Sequence, residues 1–310
     1  MHRQFSITIL IILNVAICFA QTDSLAVVEA KWDVRKVAPG IKHKHYWFEK
    51  SLFGASQNIN ILEVKLSRRN VLEFAYEPKI LKPTSLFGTE AQALAAINGN
   101  FFNMKEGGSV DYVRTMGKVR HENRLEAGGK RALHQKAALA ISGRKVQISG
   151  WDGTPDWEKN IKADHVMLSG PLLIEDGKII KLDSTETYLT RHPRTAVAIK
   201  GKQVFLITLD GRNEKAAGMS LFELGRFLKW LHADDGLNLD GGGSTTMWIN
   251  GEPDNGIINY PSDNKKMESS TAFKPGMDID NLPADLKKWN KDGERPVANV
   301  ILVKRKVPNL

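Results

Sequence analysis

Short apolar, β-branched runs broken by glycine-containing turns recur along most of this chain, and a chain patterned this way has little option but to build a sheet. Asn60 to Leu66 and Val71 to Tyr76 read as an opening hairpin or neighbouring pair. Ala137 to Ile141 and Lys145 to Ile148 flank Ser142-Gly143-Arg144, and Thr195 to Ile199 and Val204 to Leu209 flank Lys200-Gly201-Lys202. Turns this tight join antiparallel strands, since parallel neighbours need a crossover of about a dozen residues or more. One helix is well marked. Ser220 and Glu223 form a Ser-x-x-Glu capping box, Met219 can staple onto Leu224, and Leu221, Leu224, Phe227, Leu228 and Leu231 keep helical spacing before the turn at Gly236. The expected fold class is α/β in the α+β sense: a mixed, largely antiparallel sheet with a few packing helices in a single large domain.

The N-terminus sets the expected compartment. Residues 1 to 20 have a basic start at His2 and Arg3, an apolar run from Phe5 to Phe19, and Ala20 before polar Gln21-Thr22-Asp23, the layout of a secretory signal peptide. The run is shorter than the about 20 apolar residues of a transmembrane helix. Export to a periplasmic or extracellular location is therefore expected, with a mature start near Gln21 and no stable membrane anchor. Cys18, the single cysteine, falls inside that segment, and the large Ile17 before it argues against lipid attachment. A mature chain without thiols has neither cysteine catalysis nor disulfides and must be stabilised by its core.

Residues 21–58 mix charged and aromatic side chains without a sustained period and read as an N-terminal lead-in with a short strand at most. The main domain is expected to run from 59 to 310. Two long polar stretches interrupt it. Asn103 to Arg131 reads equally as a flap over a site or as a solvated loop, and Glu252 to Arg295 reads as a polar insertion, around 264–293, with a short helix at Pro283 to Trp289. The formal net charge of +9 suits anionic partners such as phosphates, acidic glycans, nucleic acid or membrane surfaces. No run of five basic residues marks a nucleic-acid patch, so no nucleic-acid partner is expected.

Chemistry concentrates at three places where an apolar strand ends in a carboxamide or carboxylate followed at once by glycine: Ile97-Asn98-Gly99, Leu209-Asp210-Gly211 and Leu239-Asp240-Gly241. Any one of these is also an ordinary turn signal. Three in one chain, with Arg212 just after Asp210 and Gly241-Gly242-Gly243-Ser244-Thr245-Thr246 after Asp240, favour a site. Along the last strand Leu237 and Leu239 face one side while Asn238 and Asp240 face the other. The glycine triplet can bring backbone N–H groups to an anion, with the Ser244, Thr245 and Thr246 hydroxyls adding donors. A nucleotide loop would lead into a helix, whereas Thr245 to Ile249 reads as a strand. Arg194, Arg212 and Arg295 offer bidentate grips for phosphate or carboxylate, although each alone also fits a surface ion pair. No zinc spacing, EF-hand or nucleophile elbow is present, and no histidine is assigned to Ser244.

Read together and in order, Asn98-Gly99-Asn100-Phe101-Phe102, Ser169-Gly170-Pro171-Leu172-Leu173, His192-Pro193-Arg194-Thr195-Ala196, Asp210-Gly211-Arg212, Gly218-Met219-Ser220-Leu221, Asn238 to Thr245 and Arg295-Pro296-Val297-Ala298-Asn299 resemble the phosphodiester glycosidase family over roughly residues 60–304. The resemblance implies an exported hydrolase that cleaves a sugar-1-phosphodiester, or phosphoglycan, at the anomeric carbon. A phosphodiester leaves as a weakly basic anion, so the reaction needs one carboxylate and an electropositive cradle more than it needs a general acid. On this reading Asp240 is the base or nucleophile, with Asp210 second in that role. Arg194, Arg212 and the Gly241, Gly242, Gly243 and Ser244 backbone hold phosphate, and Asn98, Asn238, Thr245 and Arg295 orient the sugar or the phosphate. No cofactor is implied. Two alternatives stay open: a metal-assisted phosphodiesterase in which Asp210 and Asp240 hold a divalent cation, and a glycan-binding module without turnover.

Overall fold

The computed structural model describes residues 22–264 and 289–306. The signal segment, the expected helix at Pro283 to Trp289 except its last residue, and most of the insertion lie outside them. Among the described residues the strands are β1 (Asp33–Ala38), β2 (Ile41–Trp47), β3 (Asn58–Lys65), β4 (Asn70–Tyr76), β5 (Ala95–Asn98), β6 (Val113–Thr115), β7 (Lys118–His121), β8 (Ala137–Ser142), β9 (Lys145–Gly150), β10 (His165–Ser169), β11 (Leu172–Glu175), β12 (Lys178–Ile179), β13 (Arg194–Lys200), β14 (Gln203–Leu209), β15 (Asp235–Asn238), β16 (Met247–Ile249) and β17 (Asn299–Arg305). The helices are α1 (22–28), α2 (Thr84–Glu90), α3 (Trp157–Asn160), α4 (Glu186–Leu189) and α5 (Leu221–Trp230).

Three sheets result, in the orders β1-β2-β3-β14-β13-β15-β11-β12, β7-β6-β10-β8-β9 and β16-β5-β17-β4. Their strand pairs are antiparallel, so the fold is strand-dominated, less balanced between helix and sheet than expected, and its sheets are not mixed in direction. The eight-stranded sheet is covered on both faces, because alternate residues of its central strands enter different cores. Leu62, Val64, Val197, Ile199, Val204 and Leu206 meet Phe74, Ile97, Leu139, Met167 and Ile301 from the other two sheets. Ile59, Ile61, Ala196, Ala198, Phe205 and Ile207 instead meet Leu224, Phe227 and Leu228 of α5. Burial on both faces explains why these strands read as continuous apolar runs.

The β8–β9 and β13–β14 hairpins form in the expected register. Helix α5 begins on the expected capping box, with the Glu223 N–H donating to Ser220 Oγ at 3.2 Å and the Ser220 N–H to Glu223 Oε2 at 2.9 Å. Three expectations need correction. First, β3 and β4 are not a pair: β2 and β14 take both edges of β3, so β4 passes to another sheet and pairs with β17. Second, the supposed lead-in holds two full strands, β1 and β2, at the edge of the main sheet. Their Lys, His and aromatic side chains suit an edge, where charge blocks further pairing, and hide the usual apolar alternation. Third, the stretch from Asn103 to Arg131, read equally as a flap over a site or as a solvated loop, is not a plain loop, since β6 and β7 extend the five-stranded sheet and Asp111 and Tyr112 are buried.

Candidate active site

Antiparallel register brings the sequence motifs to one end of the main sheet. Arg194 opens β13 opposite Leu209, the residue before Asp210, and Ala196 pairs with Asn238, two residues before Asp240. The end of β5 joins them through Asn98, whose Nδ2 donates to the Asp240 carbonyl at 2.6 Å while its Oδ1 accepts from Thr195 Oγ1 at 2.7 Å and from the Thr246 N–H at 3.2 Å. The Asp240 N–H donates to the Gly99 carbonyl at 3.1 Å. Asn98 is fully buried and these bonds fix the Asp240 backbone, whereas the sequence reading had it orient the sugar or the phosphate. Asn238 behaves alike, donating to the Gly170 and Leu239 carbonyls at 2.9 and 2.8 Å.

The two aspartates have different surroundings. Asp210 is buried, and its carboxylate accepts from Asn58 Nδ2 at 2.6 Å, Asn259 Nδ2 at 2.9 Å and the Tyr260 N–H at 3.0 Å. Burial pushes it up to about 6 against those donors. With its oxygens held by amides from two other segments, it works as a clamp. Asp240 keeps some solvent-facing surface. Burial pushes its carboxyl up to about 6 as well, opposed by the Ser244 hydroxyl, the Arg295 guanidinium and the Gly241 N–H, and aided by the charge of Asp111.

Arg194 lies in the wall with its Nε donating to the Met219 carbonyl at 2.9 Å and Nη2 to the Thr190 carbonyl at 3.0 Å. Burial and the neighbouring Arg212 guanidinium lower it to about 10. Arg212 is exposed and has a left-handed backbone, φ 60°, a conformation that a non-glycine residue holds only where its surroundings enforce it. Both cations also depress His192 once burial has lowered it. Among the described residues neither Arg194 nor Arg212 has a carboxylate in ion-pair contact, whereas nearby Arg191 is bound to Glu223 at 2.5 Å. Two adjacent guanidiniums without a carboxylate in ion-pair contact, with Glu223 acting on Arg194 only at longer range, are suited to an anion.

The glycine triplet is explained differently from the sequence reading. The Gly242, Ser244 and Thr245 N–H groups donate to the Pro193, Gly241 and Gly242 carbonyls, and the turn Gly242–Ser244 is one of 3-10 helix. Little of an N–H cradle is left. What the site needs is the missing side chains. A Cβ on Gly241 would stand 2.7 Å from the Pro193 carbonyl oxygen, one on Gly242 3.1 Å from Arg212 Nη2, and one on Gly243 inside the Arg295–Asp263 pair. Arg295 is held by that pair, with Nε and Nη2 at 2.6 and 2.5 Å from Asp263 Oδ2. The preceding residue, Glu294, accepts from the Ser85 N–H at 3.2 Å and caps α2. Ser244 and Thr245 are buried beneath the turn, and the Thr245 carbonyl accepts from Asn259 Nδ2 at 2.9 Å.

Sequence reasoning missed several neighbours. His134, in the 3-10 turn Leu133–Gln135, is hydrogen-bonded through Nδ1 to both oxygens of fully buried Asp111 at 2.9 Å, and Asp240 is among the charges acting on it. Gly170 admits this turn, because a Cβ there would meet the Leu133 oxygen at 2.8 Å. Tyr260 and Trp289 stack at 4.2 Å and line a small recess with Arg212. His134 stood just past a stretch read as loop and carried no spacing signal. Ser169-Gly170-Pro171, by contrast, was visible in the sequence. Among the described residues, no group of three or more His, Cys, Asp or Glu side chains is placed to hold a metal ion.

Comparison with known proteins adds a family and a fold. Residues 91–304 match the phosphodiester glycosidase family model. N-acetylglucosamine-1-phosphodiester alpha-N-acetylglucosaminidase of Mus musculus is 30% identical over 186 residues, covering 54% of this chain and 33% of the mouse protein. The Bos taurus protein of that name is 40% identical over 184 residues, covering 54% and 32%. The chain thus matches about a third of the length of these relatives. The zebrafish N-acetylglucosamine-1-phosphodiester alpha-N-acetylglucosaminidase catalytic domain, auto-inhibited by pro-peptide, superposes with a TM-score of 0.61 at 19% identity, over 88% of this chain and 86% of that one. A hypothetical protein from Synechocystis gives 0.60 at 15% identity, over 89% and 64%. Both share the fold. No helix among the described residues is long and apolar enough to cross a membrane.

Proposed function

The chain belongs to the phosphodiester glycosidase family, and from that premise we propose that it is an exported glycosidase hydrolysing a sugar-1-phosphodiester at the anomeric carbon. The observation that carries this reading is the Arg194–Arg212 pair, two guanidiniums without a carboxylate in ion-pair contact among the described residues, next to Gly241 and Gly242, which follow Asp240 in the chain. A neutral glycoside gives such a pair nothing to bind. A phosphodiester gives it the anionic oxygens that gain charge as the bond to carbon breaks. Asp240 supplies negative charge at the anomeric carbon. Asn98, Asn238 and Asp210 position it and the turn beneath it, and Arg295, held by Asp263, favours its ionisation against the effect of burial.

The relatives' names point to N-acetylglucosamine as the first sugar to test. The mature protein is to be assayed on N-acetylglucosamine-1-phosphodiesters and on aryl N-acetylglucosaminides without phosphate. Turnover should be confined to the phosphodiesters. Arg212→Ala should lower kcat/KM about ten- to a hundredfold, the worth of a charge-assisted contact of about 1.5–3 kcal/mol. Equal turnover of neutral glycosides, or an unchanged Arg212→Ala enzyme, would defeat the proposal.

A further inference from the structure

We infer that His134, oriented by Asp111, is the general base that takes a proton from the hydrolytic water, which leaves Asp240 to attack the anomeric carbon as nucleophile. The inference rests on the site being a sugar-1-phosphodiester hydrolase. A phosphate leaving group departs without protonation, so the proton to be moved is the water's. A carboxylate bonded to carbon cannot also accept that proton. The site therefore needs a second group, partly open to solvent and held in one orientation.

His134 meets these requirements. Its Nδ1 lies 2.9 Å from each oxygen of Asp111. A carboxylate in that position holds the proton on Nδ1 and leaves the Nε2 lone pair free to accept. Asp111 is fully buried while about a third of the His134 side chain is exposed, so the pair opens outward only through the imidazole. The Phe101 ring lies against the imidazole with centroids 4.9 Å apart, and bare Gly170 lets the His134 backbone approach, its would-be Cβ 3.1 Å from His134 Cα. Gly170 in turn accepts from Asn238, two residues before Asp240, so one short chain of contacts links base and nucleophile. The charged groups acting on His134 are Asp111, Glu126 and Asp240. Burial alone would lower the imidazole, and these carboxylates raise it above its ordinary value. A base with an orienting carboxylate beside a nucleophile is the arrangement covalent catalysis uses on unrelated folds.

The two steps balance. An Asp240 oxygen forms a bond to the anomeric carbon as the carbon–oxygen bond to phosphate breaks, its electron pair leaving with the phosphate monoester. Water then bonds to the same carbon, its proton passes to His134 Nε2, and the ester bond to Asp240 breaks, returning its pair to the carboxylate. The imidazolium releases the proton to solvent.

The test is rapid-quench measurement of phosphate monoester released from an N-acetylglucosamine-1-phosphodiester, with intact-protein mass spectrometry. His134→Asn should give a burst equal to the enzyme present, a glycosylated protein mass, and steady-state turnover reduced about 10²- to 10⁴-fold. Asp111→Asn should move the acidic limb of glycosyl-enzyme hydrolysis, the step in which Asp240 is esterified and does not titrate, to lower pH, because removing a carboxylate that raises His134 lets it deprotonate sooner. Wild-type turnover with His134→Asn within tenfold of it, loss of burst and steady state together in a folded variant, or an unmoved acidic limb would each overturn the inference alone. A wild-type protein that releases no monoester would instead remove the proposed function beneath it.

Discussion

Asp210 and Asp240 look alike in the sequence, each ending an apolar strand before glycine, yet substitution should separate them cleanly. Asp240→Asn should reduce turnover about 10²-fold or more, since an amide neither attacks carbon nor accepts a proton. It should also stabilise the fold at neutral pH. The Asp240 carboxyl stands at about 6 in the folded protein against an ordinary 3.8, so folding takes up protons between those values and this group's contribution to stability falls as pH rises through them. In urea unfolding, Asp240→Asn should be more stable than wild type at pH 7.5 by up to about 3 kcal/mol, with the difference gone by about pH 4. Asp210 stands at about 6 as well and carries the same linkage, but Asp210→Asn also turns one amide donor toward Asn58 Nδ2, Asn259 Nδ2 and the Tyr260 N–H. At pH 7.5 it should therefore be less stable than Asp240→Asn by about 1–3 kcal/mol, the cost of a donor left unsatisfied. The sequence reading put Asp240 first and Asp210 second, but the difference in their surroundings was not legible, since it depends on Asn58 and Asn259, about 150 and 50 positions from Asp210 in the chain.

At the scale of elements, local signals were legible and the partners of each element were less so. The capping box of α5 and the two tight hairpins were visible because the residues that make them lie within a few positions of one another. Ser220→Ala should cost about 1 kcal/mol of stability, read by urea unfolding. It should also weaken phosphodiester binding, because the Met219 carbonyl before the cap holds Arg194 Nε. The pairing of β4 with β17 could not be read locally, for it depends on which edges remain free after β2 and β14 have paired with β3. For the glycine triplet the structure shows a packing role beside the anion-binding one read from the sequence. Its N–H groups are largely spent within the turn, and its value is space for guanidinium groups. Gly243→Ala should therefore separate Arg295 from Asp263 and raise KM, whereas if Gly243 served only through its N–H, which alanine keeps, KM would stay nearly unchanged.

For the whole molecule, three antiparallel sheets share one interior, and the strand ends that rim it carry the polar residues. The short apolar, β-branched runs between glycine turns made a strand-rich fold legible. The division into three sheets and the encounter of Asp111 and His134 with Asp240 were not, because long-range packing of otherwise ordinary segments creates them. Export is an expectation at this scale, and N-terminal sequencing of the protein recovered outside the cytoplasm should begin within a few residues of Gln21. The central claim is that the sugar carbon–oxygen bond breaks while the arginines hold phosphate. Hydrolysis of an N-acetylglucosamine-1-phosphodiester in oxygen-18 water tests it most directly. The account predicts label in the sugar and an unlabelled phosphate monoester, whereas label in the phosphate would mean attack at phosphorus and would contradict it.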